Sequence, residues 1–430
     1  MVNGMTKKLL VISYIATMAT LPNGRTLQSL LQGIPGEAQS LFCCYGMPDR
    51  GSCGSCYKVT NKDAIRSLVR PSKAGGTVDL TAPIDSAIAV SNDAHKGSKK
   101  AWKYLFKELL WKVGRWKNKR LRQWLLDQKA DCIVYMYGDN ASLQRFARYA
   151  SKLLNIPLIV YSCEDYCLKD YNYIDQKKHS LAFKLYHRMS KNATKDLFKQ
   201  ASGLITNSDQ LGQEYKEKYG IDNVATVMMA SQMQYRENAE VRPIDQIHID
   251  YMGAIGKYRV KALIQIGQAL QKIDSRLKLD VYGRIQEDNL RTQLESCDGV
   301  RYCGFVGYEQ VQQVMRSSTL LIEAINDDPY VCKDKKYGFS TKYADCFACG
   351  TPLLVYAPDA IIETRFAKEH ECAFVATDTF QLEDQLKRAI FDEKARRNQL
   401  QAAREVTQRY FDKDKNVATV SAMIEAVTSR

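Results

Sequence analysis

The 430-residue sequence predicts an α/β protein built from two doubly wound halves. Three observations carry this expectation. Short apolar runs alternate with amphipathic segments along most of the chain, the pattern that builds parallel sheets covered by helices on both faces. The alternation pauses once, in the polar stretch Ser231–Ile247 with its Pro243, which sets a join near residue 240. The composition is 45% hydrophobic and 26% charged, ordinary for a folded chain, and excludes a disordered, collagen-like or coiled-coil rod protein. The length suits two domains, three at most.

The first strand is expected at Leu9–Tyr14. Lys7-Lys8 before Leu9-Leu-Val-Ile also resembles the charged start and apolar run of a secretory leader. The turn residues Asn23-Gly24 that follow favour a buried strand and its loop. Met5-Thr-Lys-Lys resembles a natural N-terminus. Further strands are expected at Cys132–Tyr137, Leu158–Ser162, Gly203–Thr206, His248–Met252, Leu279–Tyr282, Val300–Cys303, Leu320–Glu323 and Pro352–Tyr356. Helices such as Ser142–Leu154 and Lys261–Ile273 lie between them. No apolar run approaches the ~20 residues of a membrane span. In open sheets of this kind ligands bind beyond the carboxyl ends of the strands, which places the site in a cleft between the two halves.

Thirteen cysteines are scattered from Cys43 to Cys372, an odd set that reads as reduced thiols of a cytosol. Cys53-Gly-Ser-Cys56 with Cys43-Cys44 upstream leaves zinc or a redox pair as alternatives. Cys-Cys is not the usual paired half-site, and no metal is assigned.

Lys and Arg number 62 against 48 Asp and Glu, a net charge of +14 that calls for an anionic partner. Residues 95–129 hold twelve of the cations, two acids (Glu108, Asp127) and all four tryptophans. At ~100° per residue, Trp102, Leu105, Phe106, Leu109, Leu110, Val113 and Trp116 share one stripe, expected to face the core. Lys100, Tyr104, Lys107, Trp111 and Arg115 are then expected outside, where cations mixed with Tyr and Trp suit an anionic inner-leaflet membrane surface. A core-packed helix with a solvated basic face is the alternative. No nucleic-acid fold signature accompanies the patch, so nucleic acid is not expected as a partner.

Specific stretches then narrow the class. The second half reads Tyr251-Met-Gly-Ala-Ile-Gly-Lys-Tyr-Arg-Val-Lys-Ala-Leu, then Leu279-Asp-Val-Tyr-Gly-Arg, then Val300-Arg-Tyr-Cys-Gly-Phe-Val. It continues with Gly338-Phe-Ser-Thr-Lys-Tyr-Ala-Asp-Cys-Phe-Ala-Cys-Gly-Thr-Pro-Leu-Leu. In that order these resemble the donor domain of a GT-B glycosyltransferase, similar to glycosyltransferase family 4. The first half, with Asn23-Gly-Arg-Thr, Cys56-Tyr-Lys-Val-Thr and Glu164-Asp-Tyr, resembles bacterial members of that class. The resemblance implies an acceptor-side domain over 1–240, to which a helix within 410–430 returns, and a donor-binding domain over 241–410. It implies transfer of a sugar from a UDP- or GDP-linked donor, without a bound metal and with retained configuration. The implied acceptor is a saccharide or lipid-linked molecule of bacterial cell-surface polysaccharide synthesis (lipopolysaccharide or capsule). The implied place is the cytoplasm, peripheral on the inner face of the cell membrane. An epimerase or phosphorylase on the same fold, and a non-catalytic membrane- or anion-binding protein, remain alternatives.

The chemistry of a nucleotide-sugar assigns residues within that frame. A diphosphate needs cations and oriented amides. Arg259 and Lys261 open a helix after the Gly253/Gly256 turn, where free N–H groups and the positive dipole end suit phosphate. Gly338-Phe-Ser340-Thr341-Lys342 precedes a second helix that Ser340 or Thr341 is expected to cap. The resemblance implies that the acid three residues before Ala348-Cys-Gly, Asp345, holds the ribose diol. The related glutamate expected eight residues earlier is replaced by Tyr337: either Glu323, Asp327 or Asp328 touches the donor sugar in its place, or donor choice differs, or activity is weak. Asn23-Gly24-Arg25 offers a loop in which Gly24 lets backbone approach phosphate and Arg25 adds charge. Asp139, Glu164 and Asp165 end strands of the first half and are candidates to orient an acceptor hydroxyl or take its proton.

Overall fold

The computed structural model describes residues 7–18, 21–81, 100–175, 179–231, 233–285 and 287–429. Met5-Thr6 and the part of the basic segment before Lys100 lie outside the described residues. Contacts divide the chain into a first unit, Met1–Met229 with Asp414–Arg430, and a second, Ala230–Lys413.

The first unit holds β1 (Leu9–Ile12), β2 (Gln39–Cys43), β3 (Ser55–Lys58), β4 (Gly76–Thr77), β5 (Cys132–Met136), β6 (Leu158–Ser162), β7 (Gly203–Thr206) and β8 (Val224–Thr226). Their order across the sheet is β4-β3-β2-β1-β5-β6-β7-β8. Neighbours run parallel except β4, which is antiparallel to β3. All four residues of β1 are buried. That is why Leu-Leu-Val-Ile reads as a continuous apolar run and not as an alternation. The helices are α1 (Pro22–Leu31), α2 (Asn61–Arg66), α3 (Ala101–Val113), α4 (Lys119–Asp127), α5 (Ala141–Leu154), α6 (Leu181–Gln200) and α7 (Asp209–Tyr219).

The second unit holds β9 (Ile249–Met252), β10 (Leu279–Tyr282), β11 (Val300–Gly304), β12 (Leu320–Ala324), β13 (Leu353–Tyr356) and β14 (Phe374–Ala376) in the order β11-β10-β9-β12-β13-β14. Every pair is parallel. Its helices are α8 (Val260–Ile273), α9 (Asp288–Glu295), α10 (Tyr308–Ser317), α11 (Pro329–Asp334), α12 (Lys342–Ala348), α13 (Ile362–His370), α14 (Thr379–Phe391) and α15 (Glu393–Tyr410), and α16 (Lys413–Thr428) follows. Each sheet reverses its winding once, between β1 and β5 and between β9 and β12.

The last helix belongs to the first unit's core. Val420, Met423, Ile424 and Val427 of α16 pack with Leu9, Val11, Val134 and Ile205. Gly33 and Gly203 seat it: an added Cβ would stand 2.3 Å from Val417 at the first and 2.5 Å from Met423 at the second. The polar stretch after Ser231 is tied to the second unit. Arg396, fully buried, donates to the carbonyls of Ala239 (2.8 Å), Asn238 (2.9 Å) and Ala389 (2.6 Å). These bonds hold the stretch in place without a helix or strand before Pro243.

Helix α3 is turned opposite to the sequence expectation. Trp111 is buried and its indole N–H donates to Asn61 Oδ1 at 2.9 Å. Lys107 is half-buried and donates to the Tyr14 hydroxyl at 2.9 Å. Tyr104 packs edge-on against Tyr186. Only Lys100, at the N-cap, and Arg115, past the helix end and bonded to the Leu68 carbonyl, are exposed as expected. The apolar arc of Trp102, Phe106, Leu109 and Val113 faces solvent instead. The reason is Glu108: its buried carboxylate accepts from the Ser142 amide (2.9 Å) and hydroxyl (2.8 Å) at the start of α5. That lock rotates the polar edge of α3 inward, and hydrophobic periodicity alone does not anticipate it.

One buried acid gives the fold a pH signature. Asp250 in β9 is in register with Asp280 in β10, and Asp280 accepts from Arg301 Nε at 2.7 Å. Burial, and then Asp280, push Asp250 up to about 7, against the Ser318 and Arg301 contacts. A carboxyl raised in the folded state costs stability as pH climbs from its unfolded value, 3.8, to about 7. The loss is at most ~4 kcal/mol. Asp250→Asn is expected to flatten that slope in melting temperatures recorded across the range. A slope equal to the wild type's would show that Asp250 does not carry it.

Candidate functional site

The second unit's winding reversal lies between β9 and β12, where doubly wound sheets bind ligands. The chain after β9 turns at Gly253. Its φ is +154°, and a Cβ there would stand 3.0 Å from the Tyr251 hydroxyl and 3.3 Å from Lys342 Nζ. A Cβ on Gly256 would meet nothing within 4 Å, so the space beside that backbone is open. The loop runs into Arg259, the residue before α8.

Arg259 and Lys342 converge on one carboxylate. Glu323, in β12, is 2% exposed. Its Oε2 lies 3.6 Å from Arg259 and pairs with Lys342, the first residue of α12. Arg259 also donates to the Ala324 carbonyl at 2.7 Å. Both cations lie over the Tyr251 ring, 5.7 and 5.0 Å from its centroid. A buried anion between two cations is neutralised with charge to spare, so the pair retains positive potential for a further anion. Glu323, considered from sequence as a contact to the donor sugar, is the counter-ion of the two cations here.

The helix starts differ from expectation. The Ala262 amide donates to Asn326 Oδ1 at 2.8 Å and the Val260 amide to the Gly256 carbonyl at 3.3 Å, so the first turn of α8 is partly satisfied internally. Asn326 also donates to the Lys257 carbonyl at 2.7 Å, which clasps the loop to the end of β12. Lys261 is exposed, outside the Glu323 cluster. Thr341 is the N-cap of α12 but makes no side-chain cap bond. The Ser340 amide donates to Glu363 Oε1 at 2.8 Å. Glu363 is 1% exposed, and burial raises its carboxyl against the pull of Lys335. Tyr337 is buried.

Asp345 accepts from two hydroxyls. Ser231 Oγ reaches Oδ1 at 2.6 Å and Tyr308 OH reaches Oδ2 at 3.2 Å. Each carboxylate oxygen thus accepts one hydroxyl. Asn326, Glu363, Ser231 and Tyr308 escaped sequence reasoning. The one usable signal was Asn326, a side-chain amide just past the end of a predicted strand.

The first unit's candidates separate. Asp165 is 3% exposed and its Oδ1 pairs with Lys169 Nζ at 3.2 Å, a buried ion pair and not the accessible acid expected from sequence. The Glu164 carbonyl accepts from Tyr215 OH at 2.5 Å, which fixes the turn after β6. Gly24 and Arg25 lie in the first turn of α1, not in a loop. A Cβ on Gly24 would stand 2.5 Å from the Met18 carbonyl oxygen, so this glycine serves the chain's own backbone. Asp139, past β5 at the winding reversal, accepts from Tyr173 OH at 3.2 Å. Burial raises its carboxyl, against the hydroxyls of Tyr186 and Tyr173 and the charge of Lys107. Cys43 and Cys56 face each other at 3.9 Å on β2 and β3, both buried and both free thiols. Among the described residues no group of three or more His, Cys, Asp or Glu could hold a metal ion.

Residues 264–422 match the model of the family described as Glycosyl transferase-like. The fold resembles sucrose-phosphate synthase of Thermosynechococcus elongatus (12% identity, 98% of this chain and 100% of the other, TM-score 0.60). It also resembles Anabaena HepE in complex with UDP and glucose (10% identity, 97% and 99%, TM-score 0.61). S. aureus TarM is similar over 74% of this chain and 59% of its own (11% identity, TM-score 0.50). No curated protein matches the sequence. Residues 264–422 thus resemble a glycosyltransferase domain, and the chain as a whole shares the GT-B fold of these structures, with two Rossmann-like units.

Glu323→Gln tests the cation cluster. It preserves shape and removes the charge that holds Arg259 and Lys342 together, which is expected to cost ~1–3 kcal/mol. The melting temperature of this variant should fall below the wild type's. A variant as stable as wild type would mean the carboxylate does not gather the two cations.

Proposed function

We propose that the chain transfers a sugar from a nucleoside diphosphate-sugar to a hydroxyl of a saccharide or lipid-linked acceptor, with retained anomeric configuration. The observation that carries this reading is the pair Arg259 and Lys342 held by buried Glu323 at the second unit's winding reversal. In the reaction the bond from the anomeric carbon to the diphosphate oxygen breaks, and its electron pair leaves with the diphosphate. Charge grows on that oxygen, and prepositioned cations stabilise it without reorganisation. The acceptor oxygen bonds to the anomeric carbon and gives up its proton to a base.

Asp345 holds the ribose hydroxyls in this reading, in place of the Ser231 and Tyr308 hydroxyls it now accepts. Asp139 is the carboxylate of the first unit that serves the acceptor hydroxyl, since its raised affinity for a proton suits proton transfer. Uridine is the favoured base. HepE was solved in complex with UDP-glucose, and the TarM complex includes UDP. Membership of glycosyltransferase family 4, a role in bacterial cell-surface polysaccharide synthesis, and a cytoplasmic, membrane-peripheral place rest on the sequence resemblance and on the cationic segment after Lys100.

Arg259→Ala and Lys342→Ala are each expected to raise the UDP dissociation constant about tenfold or more, since a charge-assisted hydrogen bond contributes ~1.5–3 kcal/mol. Lys261→Ala should change it less. Titration calorimetry with UDP reads all three. Unchanged affinity in the first two would remove the diphosphate assignment, and a screen of UDP-, GDP- and TDP-sugars by thermal shift checks the base.

A further inference from the structure

Helix α3 carries its largest apolar side chains outward. Trp102 is 56% exposed, Phe106 63%, Leu109 42% and Val113 62%. On a helix these four fall within an arc of about 60°. Soluble proteins scatter such residues singly, and a continuous stripe of them marks an interaction surface. Helix α6 packs beside α3 through Tyr186 and Tyr104, and it adds exposed Leu181 and Leu185.

The charge around the stripe selects the partner. Lys103 and Lys112 flank it on α3, and Lys184 and Arg188 are exposed on α6. Between Lys100 and Lys129 there are ten Lys or Arg and two acids. One of those acids, Glu108, is buried with its carboxylate on Ser142, which leaves Asp127 as the exposed acid of the segment. Apolar and aromatic side chains bordered by cations match an interface of hydrocarbon under anionic headgroups. We propose that this face of α3 docks on an anionic phospholipid bilayer, lying in the plane of the interface. No described helix is long and apolar enough to cross a membrane, and docking of this kind needs none. The inference does not depend on the donor chemistry, because vesicle binding requires no nucleotide.

The test uses the full chain with vesicles of phosphatidylcholine alone or mixed with phosphatidylglycerol. Wild type is expected to sediment with the mixed vesicles. Binding should fall steeply toward 1 M salt, where the Debye length shrinks from ~10 Å to ~3 Å. Trp111, Trp116 and Trp124 are buried, so a blue shift of tryptophan emission on binding reports Trp102, and Trp102→Phe should remove it. Phe106→Ser with Leu109→Ser should weaken vesicle binding about tenfold or more, leaving UDP binding unchanged. If that variant melts early, Lys103→Glu with Lys112→Glu, both exposed, decides the matter by the same loss. Wild type that stays in the supernatant with anionic vesicles at low salt overturns the proposal. So do variants that sediment as wild type does, and so does a dimer in light scattering that the serine variant dissolves, which would make a second copy the occupant.

Discussion

The second unit is organised around one carboxylate that is not allowed to be alone. Glu323 sits in a central strand with 2% of its surface exposed. An isolated charge at such depth costs several kcal/mol, and only a close counter-charge offsets it. Arg259, from the loop after β9, and Lys342, from the start of α12, supply that charge from two elements far apart in sequence. The same demand explains the local backbone. Gly253 keeps its Cα bare beside Lys342, and Asn326 ties the loop that carries Arg259 to the strand that carries Glu323. Two cations answering one anion leave a net positive site, and a site of that sign beside open backbone at Gly256 is what a diphosphate needs.

The first unit shows the same logic with the opposite consequence. Glu108 is buried because it satisfies the amide and hydroxyl of Ser142 at a helix start. Burial raises its carboxyl, and those two hydrogen bonds oppose the rise. Fixing Glu108 fixes the rotation of α3. Lys107 then reaches Tyr14, Trp111 reaches Asn61, and Trp102, Phe106, Leu109 and Val113 are turned to solvent. A polar lock has outweighed the exposure of four large side chains. That trade is easier to understand if the exposed stripe is covered by something outside the chain.

The alternating pattern was legible because strands such as Leu158–Ser162 and Leu353–Tyr356 are buried along their whole length, and continuous apolar runs mark them without ambiguity. Strands β2 and β3 were not read as strands, because Gln39-Ser40 and Ser55 break the apolar signal and their cysteines suggest chemistry before structure. β4, β8 and β14 are two or three residues long, too short for any periodicity to register. At the site, Arg259 and Lys342 were legible as cations near glycine turns. Their shared partner was not, because an ion pair between Glu323 and residues 19 to 64 positions away exists only after the sheet forms. Helix α3 was misread for the same reason. Its rotation depends on Ser142, which no local pattern connects to Glu108.

The most direct measurement compares UDP with UMP by titration calorimetry on the intact chain. If Arg259 and Lys342 read the second phosphate, UDP binds about tenfold or more tightly than UMP, and Lys342→Met brings the two affinities together. Equal affinities for UDP and UMP in the wild type would contradict the account, since the cations gathered by Glu323 would then serve only to balance its charge.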